Sequence, residues 1–293
     1  MAFITDENVV NQVVSDITAY LSKIGIIFRI FGRVKTKQSI TLKLAEKSDE
    51  YHQNNKKMQD LFGVRVALYF SDDIEIAQSV VKSLFKFHSK SVDIPAKDIF
   101  GPTRRNVIYH LPDDLASQSY LIKSNGLIDS TFEVQYRTIL SEGWHEVEHD
   151  LRYKCKSDWN DHNDLSRSLN GIMATLETCD WSMIKMFDEL AWRHYKAGIW
   201  DPMIRNKFRL RFQSVGIPPG MTDALSSIDG LAKAIFRTDR TLFLQKLAEQ
   251  EIPFPITPPN VVFILNRLFI KNDDLKNLEP DVLRELLDDR LVT

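Results

Sequence analysis

Cysteine is almost missing from this chain: Cys155 and Cys179 are the two it has. Two thiols build neither a disulfide framework nor a cysteine-rich zinc site, and they fit a reducing, cytoplasmic setting. A surplus of charge is missing too. Lys and Arg number 38, Asp and Glu 40, and the formal net charge is −2, so bulk charge does not make the molecule a polyanion binder. Any phosphate site must be a local basic cluster. Long apolar runs are lacking: stretches such as 261–265 are far shorter than a membrane span, and no membrane partner is expected. The first ten residues lack a basic segment followed by an apolar run, so no signal peptide is expected. There is no low-complexity tract and no internal repeat.

What is present is apolar material for a sizeable core, 43% of 293 residues, in one large domain or two moderate ones. Val9, Val13, Ile17 and Leu21 recur at helical spacing over 8–23. An apolar run over 24–31 ends at Gly32. GVRVALYF, 63–70, reads as a buried strand, and Ser71-Asp72-Asp73 caps a helix expected to reach about His88. Segments 92–94, 106–111 and 131–137 read as further strands between turn-rich stretches. Helical patterns return over 140–153 and 164–195, and the tail from about 198 is helical, broken at 218–219 and 253–259. These features predict an α+β fold: helices together with a sheet of four or five strands, a soft boundary near 195, and a helical C-terminal region.

Three clusters carry chemistry. Arg33, Lys35, Ser39 and Lys43 in GRVKTKQSITLKL are cations and a hydroxyl spaced to surround a triphosphate, or else a solvated basic face. Asp60 stands before the buried strand, where a carboxylate can hold a metal. Arg65 is a charge inside that strand and needs a carboxylate, a phosphate or a flat ring, so a structural salt bridge is the alternative. In FEVQYRT, Phe132, Val134 and Tyr136 alternate with Glu133, Gln135 and Arg137, so one strand face is polar. If that face lines a cleft rather than solvent, Glu133 and Asp60 share Mg²⁺ and Glu133 takes a proton from an attacking hydroxyl. A competing pattern is HEVEH, 145–149, which matches H-E-x-x-H. His145 and His149 would bind zinc with Glu146 as base and His162 as a third ligand, although Glu148 and Asp150 flank the second histidine.

Taken together, these segments resemble the synthetase domain of the RelA/SpoT family, the alarmone synthetases, over about 31–154. The family's R-x-K-x-x-x-S segment corresponds to Arg33, Lys35 and Ser39. Its Asp before a G-[VI]-R-[VI] strand corresponds to Asp60, Gly63 and Arg65, and its E-[VI]-Q-[IY]-R-T strand to 133–138. Its helix with Trp, His and a Tyr-Lys end corresponds to Trp144, His149, Tyr153 and Lys154. The resemblance implies a mixed sheet of nucleotidyltransferase type in a synthetase domain over 1–195, with 196–293 a helical region of unassigned role. It implies that Arg33 and Arg65 clamp the adenine of ATP, that Lys35, Ser39 and Lys43 hold its phosphates, and that Asp60 with Glu133 serves Mg²⁺ and catalysis. The acceptor hydroxyl would attack the β-phosphate, and AMP would leave.

One stretch departs from the family pattern. Its K-D-Y-I start is matched by Lys97 and Asp98 and its final His by His110, but the N-G-Y core is missing and Tyr109 is displaced into a strand pattern. The resemblance assigns the acceptor to Lys97, Arg104, Arg105, Tyr109, His110, Gln135 and Arg137. GDP or GTP is the default acceptor, and toxin-like relatives make adenine nucleotides or tRNA the alternatives. A tRNA would need a basic surface, for which Arg205, Lys207, Arg209 and Arg211 are candidates unless they are a solvated helix face. A catalytically silent nucleotide sensor is the remaining alternative. The tail is expected to pair subunits, bind a regulator or restrain toxicity.

Overall fold

A computed structural model of the chain describes residues 2–46, 51, 56–93 and 104–291. Their contacts divide into two compact units, one of residues 1–19 and 28–180, the other of 20–27 and 181–293. The division at 180/181 falls inside one long helix, where the sequence suggested a boundary near 195.

The first unit is built on a mixed sheet. Helix α1 (Ala2–Lys23) leads to β1 (Phe28–Val34), α2 (Lys37–Glu46), β2 (Phe62–Leu68), α3 (Asp73–Leu84), β3 (Phe87–Asp93) and β4 (Arg104–His110). Two short helices, α4 (Asp113–Ala116) and α5 (Tyr120–Ser124), precede β5 (Thr131–Thr138), α6 (Ile139–Glu148) and α7 (Asn163–Lys196). The strand order among the described residues is β1-β2-β5-β4-β3, with β2 and β5 parallel and the other pairs antiparallel.

Alternation along the strands sorts side chains onto two faces. Val64, Val66, Val107, Phe132, Val134 and Tyr136 are at most 3% exposed and form the core face. Phe132 stacks on Tyr109 at 5.6 Å and meets Phe85 edge-on at 4.9 Å. Val9, Val13 and Ile17 of α1 are fully buried. A Cβ on Gly32 would come within 2.7 Å of Val14, so glycine lets α1 and β1 approach this closely. The opposite face carries Arg33, Arg65, Asn106, Ile108, Glu133, Gln135 and Arg137, in register across four strands.

Two boundaries differ from the sequence-based expectation. The helix expected to reach about His88 stops at Leu84, because residues from Phe87 pair with β4. The first part of β3, FHSKS, is polar enough at this sheet edge to hide its strand character, so the strand expected at 92–94 starts five residues earlier. The helix expected over 140–153 is α-helical to Glu148 and then widens into a π-turn over His149–Tyr153, closed by Lys154 N–H donating to His149 O at 3.1 Å.

The second unit is helical: α8 (Trp200–Phe208), α9 (Pro219–Ser227), α10 (Leu231–Arg237), α11 (Arg240–Glu249), α12 (Pro258–Leu265), α13 (Asp273–Asn277) and α14 (Asp281–Arg290). Phe208 and Phe243 meet at 5.3 Å in its core, and Arg267 pairs with the buried Glu279 at 2.7 Å. No helix among the described residues is long and apolar enough to cross a membrane.

Candidate active site

Asp60 closes a segment that is pinned before β2 begins. Met58 is fully buried and makes a parallel bridge with Ile128; its N–H donates to Leu127 O at 2.8 Å, and its carbonyl accepts from Asp129 N at 3.0 Å. The Thr131 hydroxyl donates to Gln59 O at 3.0 Å, and Lys35 N to Leu61 O at 2.8 Å. So the β2–β5 pairing is prolonged towards Asp60, and the Lys35 backbone is tied to the same place.

One oxygen of Asp60, Oδ2, accepts from Lys35 Nζ at 2.9 Å and Lys43 Nζ at 2.6 Å. Burial pushes this carboxyl up, but the two ammonium groups outweigh it and hold it below its ordinary value. The other oxygen, Oδ1, is buried and has no hydrogen-bond partner. Ser39 sits on α2, exposed, bonded to Thr36, whose hydroxyl also receives the Ser39 N–H at 3.2 Å.

Glu133 is opposite Gly63 in the parallel ladder, on the polar face. Its Oε1 accepts from Asn106 Nδ2 at 3.1 Å and its Oε2 from Gln135 Nε2 at 2.7 Å, two uncharged donors that orient it. Asp60 and Glu133 line one cavity of about 340 Å³ together with Lys43, Tyr51, Lys56, Lys57, Gln59 and Ile108. The two carboxylates are therefore on one side of the sheet, facing a common space.

A second cavity, of about 120 Å³, is lined by Arg33, Arg65, Asn106, Gln135, Arg137, His145, Glu146, Glu148, His149 and Tyr153. Arg65 donates to Glu142 at 2.6 Å and also to Glu146, and its Nε reaches Gln135 at 3.4 Å. Arg137 donates to Glu142 Oε2 at 3.0 Å and to Gln135 Oε1 at 3.2 Å. Burial pushes the Arg137 guanidinium down and Glu142 opposes that shift. Glu142 thus bridges two arginines. It is placed by the N-terminus of α6, where Thr138 and Ser141 form a reciprocal cap.

The acceptor candidates separate in space. Gln135 and Arg137 belong to the smaller cavity. Tyr109 does not reach the site: it is 1% exposed, on the core face, with its hydroxyl 3.2 Å from that of Tyr136, and burial raises both phenols. Arg105 pairs with Tyr136 and so alternates onto the core side of β4, away from Asn106. His110 shares the polar side at the end of β4, its ring 4.9 Å from that of His88. Lys97 and the Arg104 side chain lie outside the described residues. Asn106, Glu142, Lys56 and Lys57 belong to the two cavities or bond to residues that line them without any motif having marked them; Asn106 becomes recognisable only once β4 is laid beside β5.

The residues fit Mg²⁺ better than zinc. Among the described residues no group of three or more His, Cys, Asp and Glu is placed to hold a metal ion, and His149 pairs with Asp150 at 2.9 Å where the α-helix gives way to the π-turn. Mg²⁺ needs no such cage, being held by one or two carboxylates and substrate phosphates, and the unpartnered Asp60 Oδ1 offers one such oxygen. The basic run in the second unit is not one exposed stripe: Arg205 pairs with Asp201 at 2.7 Å, while Arg209 is 6% exposed and pairs with Asp188 at 3.0 Å.

Comparison with known proteins agrees with this architecture. Residues 32–158 match the family described as a region found in RelA / SpoT proteins. GTP pyrophosphokinase YjbM of Bacillus subtilis (strain 168) is 30% identical over 127 residues, 43% of this chain and 56% of that protein. GTP pyrophosphokinase YwaC of the same organism is 28% identical over 135 residues, 43% of this chain and 59% of that protein. The chain thus matches little more than half the length of these curated relatives. The structure of a GTP pyrophosphokinase family protein from Streptococcus pneumoniae superposes with a TM-score of 0.50 at 21% identity, over 63% of this chain and 90% of that one, and shares the fold. Residues 32–158 of this chain are thus similar to the region found in RelA / SpoT proteins, and they contribute to a mixed five-stranded sheet flanked by helices.

Proposed function

We propose that this chain is an ATP-dependent pyrophosphokinase that moves the β,γ-pyrophosphate of ATP onto a ribose 3′-hydroxyl, with a guanine nucleotide as acceptor. The observation that carries the reading is the shared cavity of Asp60 and Glu133, with Lys43 on its wall. The two curated relatives are named GTP pyrophosphokinases, which supports the same class of reaction.

The side chains divide the work. Arg33 and Arg65 line one cavity and would hold the adenine between them. The Nε and Nη1 of Arg65 donate to Gln135, Glu142 and Glu146, which fixes the guanidinium plane and leaves its faces for stacking. Lys35, Ser39 and Lys43 would hold the triphosphate. Asp60 would hold Mg²⁺ through Oδ1, and the ion, when bound, neutralises charge on the transferred phosphates. Glu133, oriented by Asn106 and Gln135, would take the proton of the acceptor hydroxyl as its oxygen bonds to the β-phosphorus. The bond from that phosphorus to the AMP oxygen breaks, and AMP leaves.

The test is AMP release from labelled ATP and Mg²⁺ with GDP, GTP, AMP or tRNA as acceptor. We expect transfer to GDP or GTP, and a loss of about 10²-fold or more in Glu133→Gln and Asp60→Asn. No AMP release with any acceptor sinks the reading.

A further inference from the structure

The corner between β5 and α6 is held by a carboxylate from outside the stretch that matches the RelA / SpoT region. Thr138 ends β5 and caps α6: its hydroxyl accepts from Ser141 N at 3.2 Å, and its own N–H donates to Ser141 Oγ at 3.1 Å. A hydroxyl that accepts in this way still has one proton to place. Asp180 Oδ2 of α7 takes it at 2.7 Å, nearer than Ser141 Oγ at 3.0 Å. Thr138, Ser141 and Asp180 are 5%, 7% and 4% exposed, so bulk water does not compete for this charge-assisted bond. The same two helices are tied again where Trp144 Nε1 donates to Leu169 O at 2.8 Å.

Two side chains of the smaller cavity's charge network flank this corner. Arg137 immediately precedes Thr138, and Glu142 follows it by about one helical turn. They meet at 3.0 Å, and the other oxygen of Glu142 accepts from Arg65 Nη1 at 2.6 Å. The plane of the Arg65 guanidinium therefore depends on where the first turn of α6 begins, and the Thr138 cap fixes that beginning.

We infer that Asp180 is a positioning residue for ATP: by holding the Thr138 hydroxyl it sets the first turn of α6 and, through Glu142, the guanidinium plane of Arg65. This rests on the pyrophosphokinase reading, in which Arg65 packs against the adenine, and it gives α7 a part in substrate binding that no motif marked. What Asp180 supplies is an acceptor at the right place, so an amide oxygen there serves as well as a carboxylate.

The test measures calorimetric ATP binding and steady-state KM and kcat in wild type, Asp180→Ala and Asp180→Asn. Asp180→Ala is expected to weaken ATP by about tenfold, in Kd and KM alike, with kcat and the KM of the acceptor moved by less than about twofold. Asp180→Asn, which keeps an acceptor for the Thr138 proton, is expected to stay within about twofold of wild type. Thr138→Val should weaken ATP at least as much as Asp180→Ala, and adding Asp180→Ala to it should weaken ATP no further, since both changes cut one chain of contacts. Should Asp180→Ala not fold, Thr138→Val against Thr138→Ser carries the same comparison, with the serine variant keeping the hydroxyl and the affinity. A loss of stability with ATP affinity unmoved, or losses that add in the double variant, overturns the inference. If wild type releases no AMP with any acceptor, the reaction is wrong and the calorimetric series still decides. Weaker ATP binding in Asp180→Ala with rescue in Asp180→Asn supports the assignment; equal affinities, or no ATP binding by wild type, overturn it.

Discussion

Lys43 Nζ lies 2.6 Å from Asp60 Oδ2, an oxygen that also takes Lys35 at 2.9 Å. In this state the carboxylate that leads into β2 is balanced by two ammonium groups from β1–α2 sequence, and its remaining oxygen is buried without a hydrogen-bond partner.

The pH dependence of stability follows from that balance. Burial alone would raise the Asp60 carboxyl, but Lys43 and Lys35 bring it below its ordinary 3.8. A carboxyl that is lower in the folded than in the unfolded chain adds stability above the unfolded value and loses it as the pH falls through the folded value. The gap in urea midpoint between wild type and Asp60→Asn is therefore expected to be full near about pH 6 and to close below about pH 3.8. A gap that stays constant down to about pH 3 contradicts the ion-pair assignment.

Glu142 and Glu146 both meet Arg65, but they differ in burial: their side chains are 11% and 52% exposed. Glu142 also holds Arg137, itself 13% exposed. Glu142→Ala leaves a mostly buried guanidinium without its carboxylate and should cost about 2–3 kcal/mol in urea unfolding. Glu146→Ala should cost about 1 kcal/mol or less. Equal losses would show that the bridge to Arg137 contributes nothing.

The paired phenols of Tyr109 and Tyr136 are expected to behave as a core contact. Tyr109→Phe leaves the buried Tyr136 hydroxyl without its partner and should cost about 1–3 kcal/mol; the double change to Phe should recover part of that. A double-mutant cycle in chemical denaturation checks it. A specific loss of GDP binding in Tyr109→Phe, with stability intact, would return Tyr109 to the acceptor site.

Asp180 is 4% exposed, accepts from the Thr138 hydroxyl at 2.7 Å and leaves its other oxygen without a partner. Burial raises its carboxyl, with the Thr138 hydrogen bond opposing, so its contribution to stability is lost as the pH rises through the folded value. Asp180→Asn keeps an acceptor for Thr138 and does not titrate. It should be more stable than wild type at neutral pH, by about 1 kcal/mol, with the advantage gone near about pH 3. Equal midpoints at neutral pH would refute this.

Much of the sheet was legible because its central strands obey simple alternation. Phe132, Val134 and Tyr136 had to face one way, and that alone put Glu133, Gln135 and Arg137 on the other. Arg65 announced itself as a charge in an apolar strand, and the structure gives it the carboxylate partner of the salt-bridge alternative, Glu142, at the wall of a cavity. What stayed hidden depends on long-range pairing. Asn106 meets Glu133 only because β4 lies antiparallel to β5 with Asn106 opposite Gln135. Lys56 and Lys57 look like any solvated pair in a polar stretch until Met58 pins them beside the carboxylates. Of the edge strand β3 only the end at 92–93 was marked, because 87–91 carried no apolar rhythm.

The parallel pairing of β2 with β5 has one more consequence. Gly63 stands opposite Glu133, with the Met58–Ile128 bridge just ahead. A strand that keeps its faces can shift against its neighbour only two residues at a time, a jump of about 6.6 Å. The separation of the two acids is therefore quantised like the notches of a ruler. A single slipped notch would carry Asp60 that distance along β5, away from its present place beside Glu133.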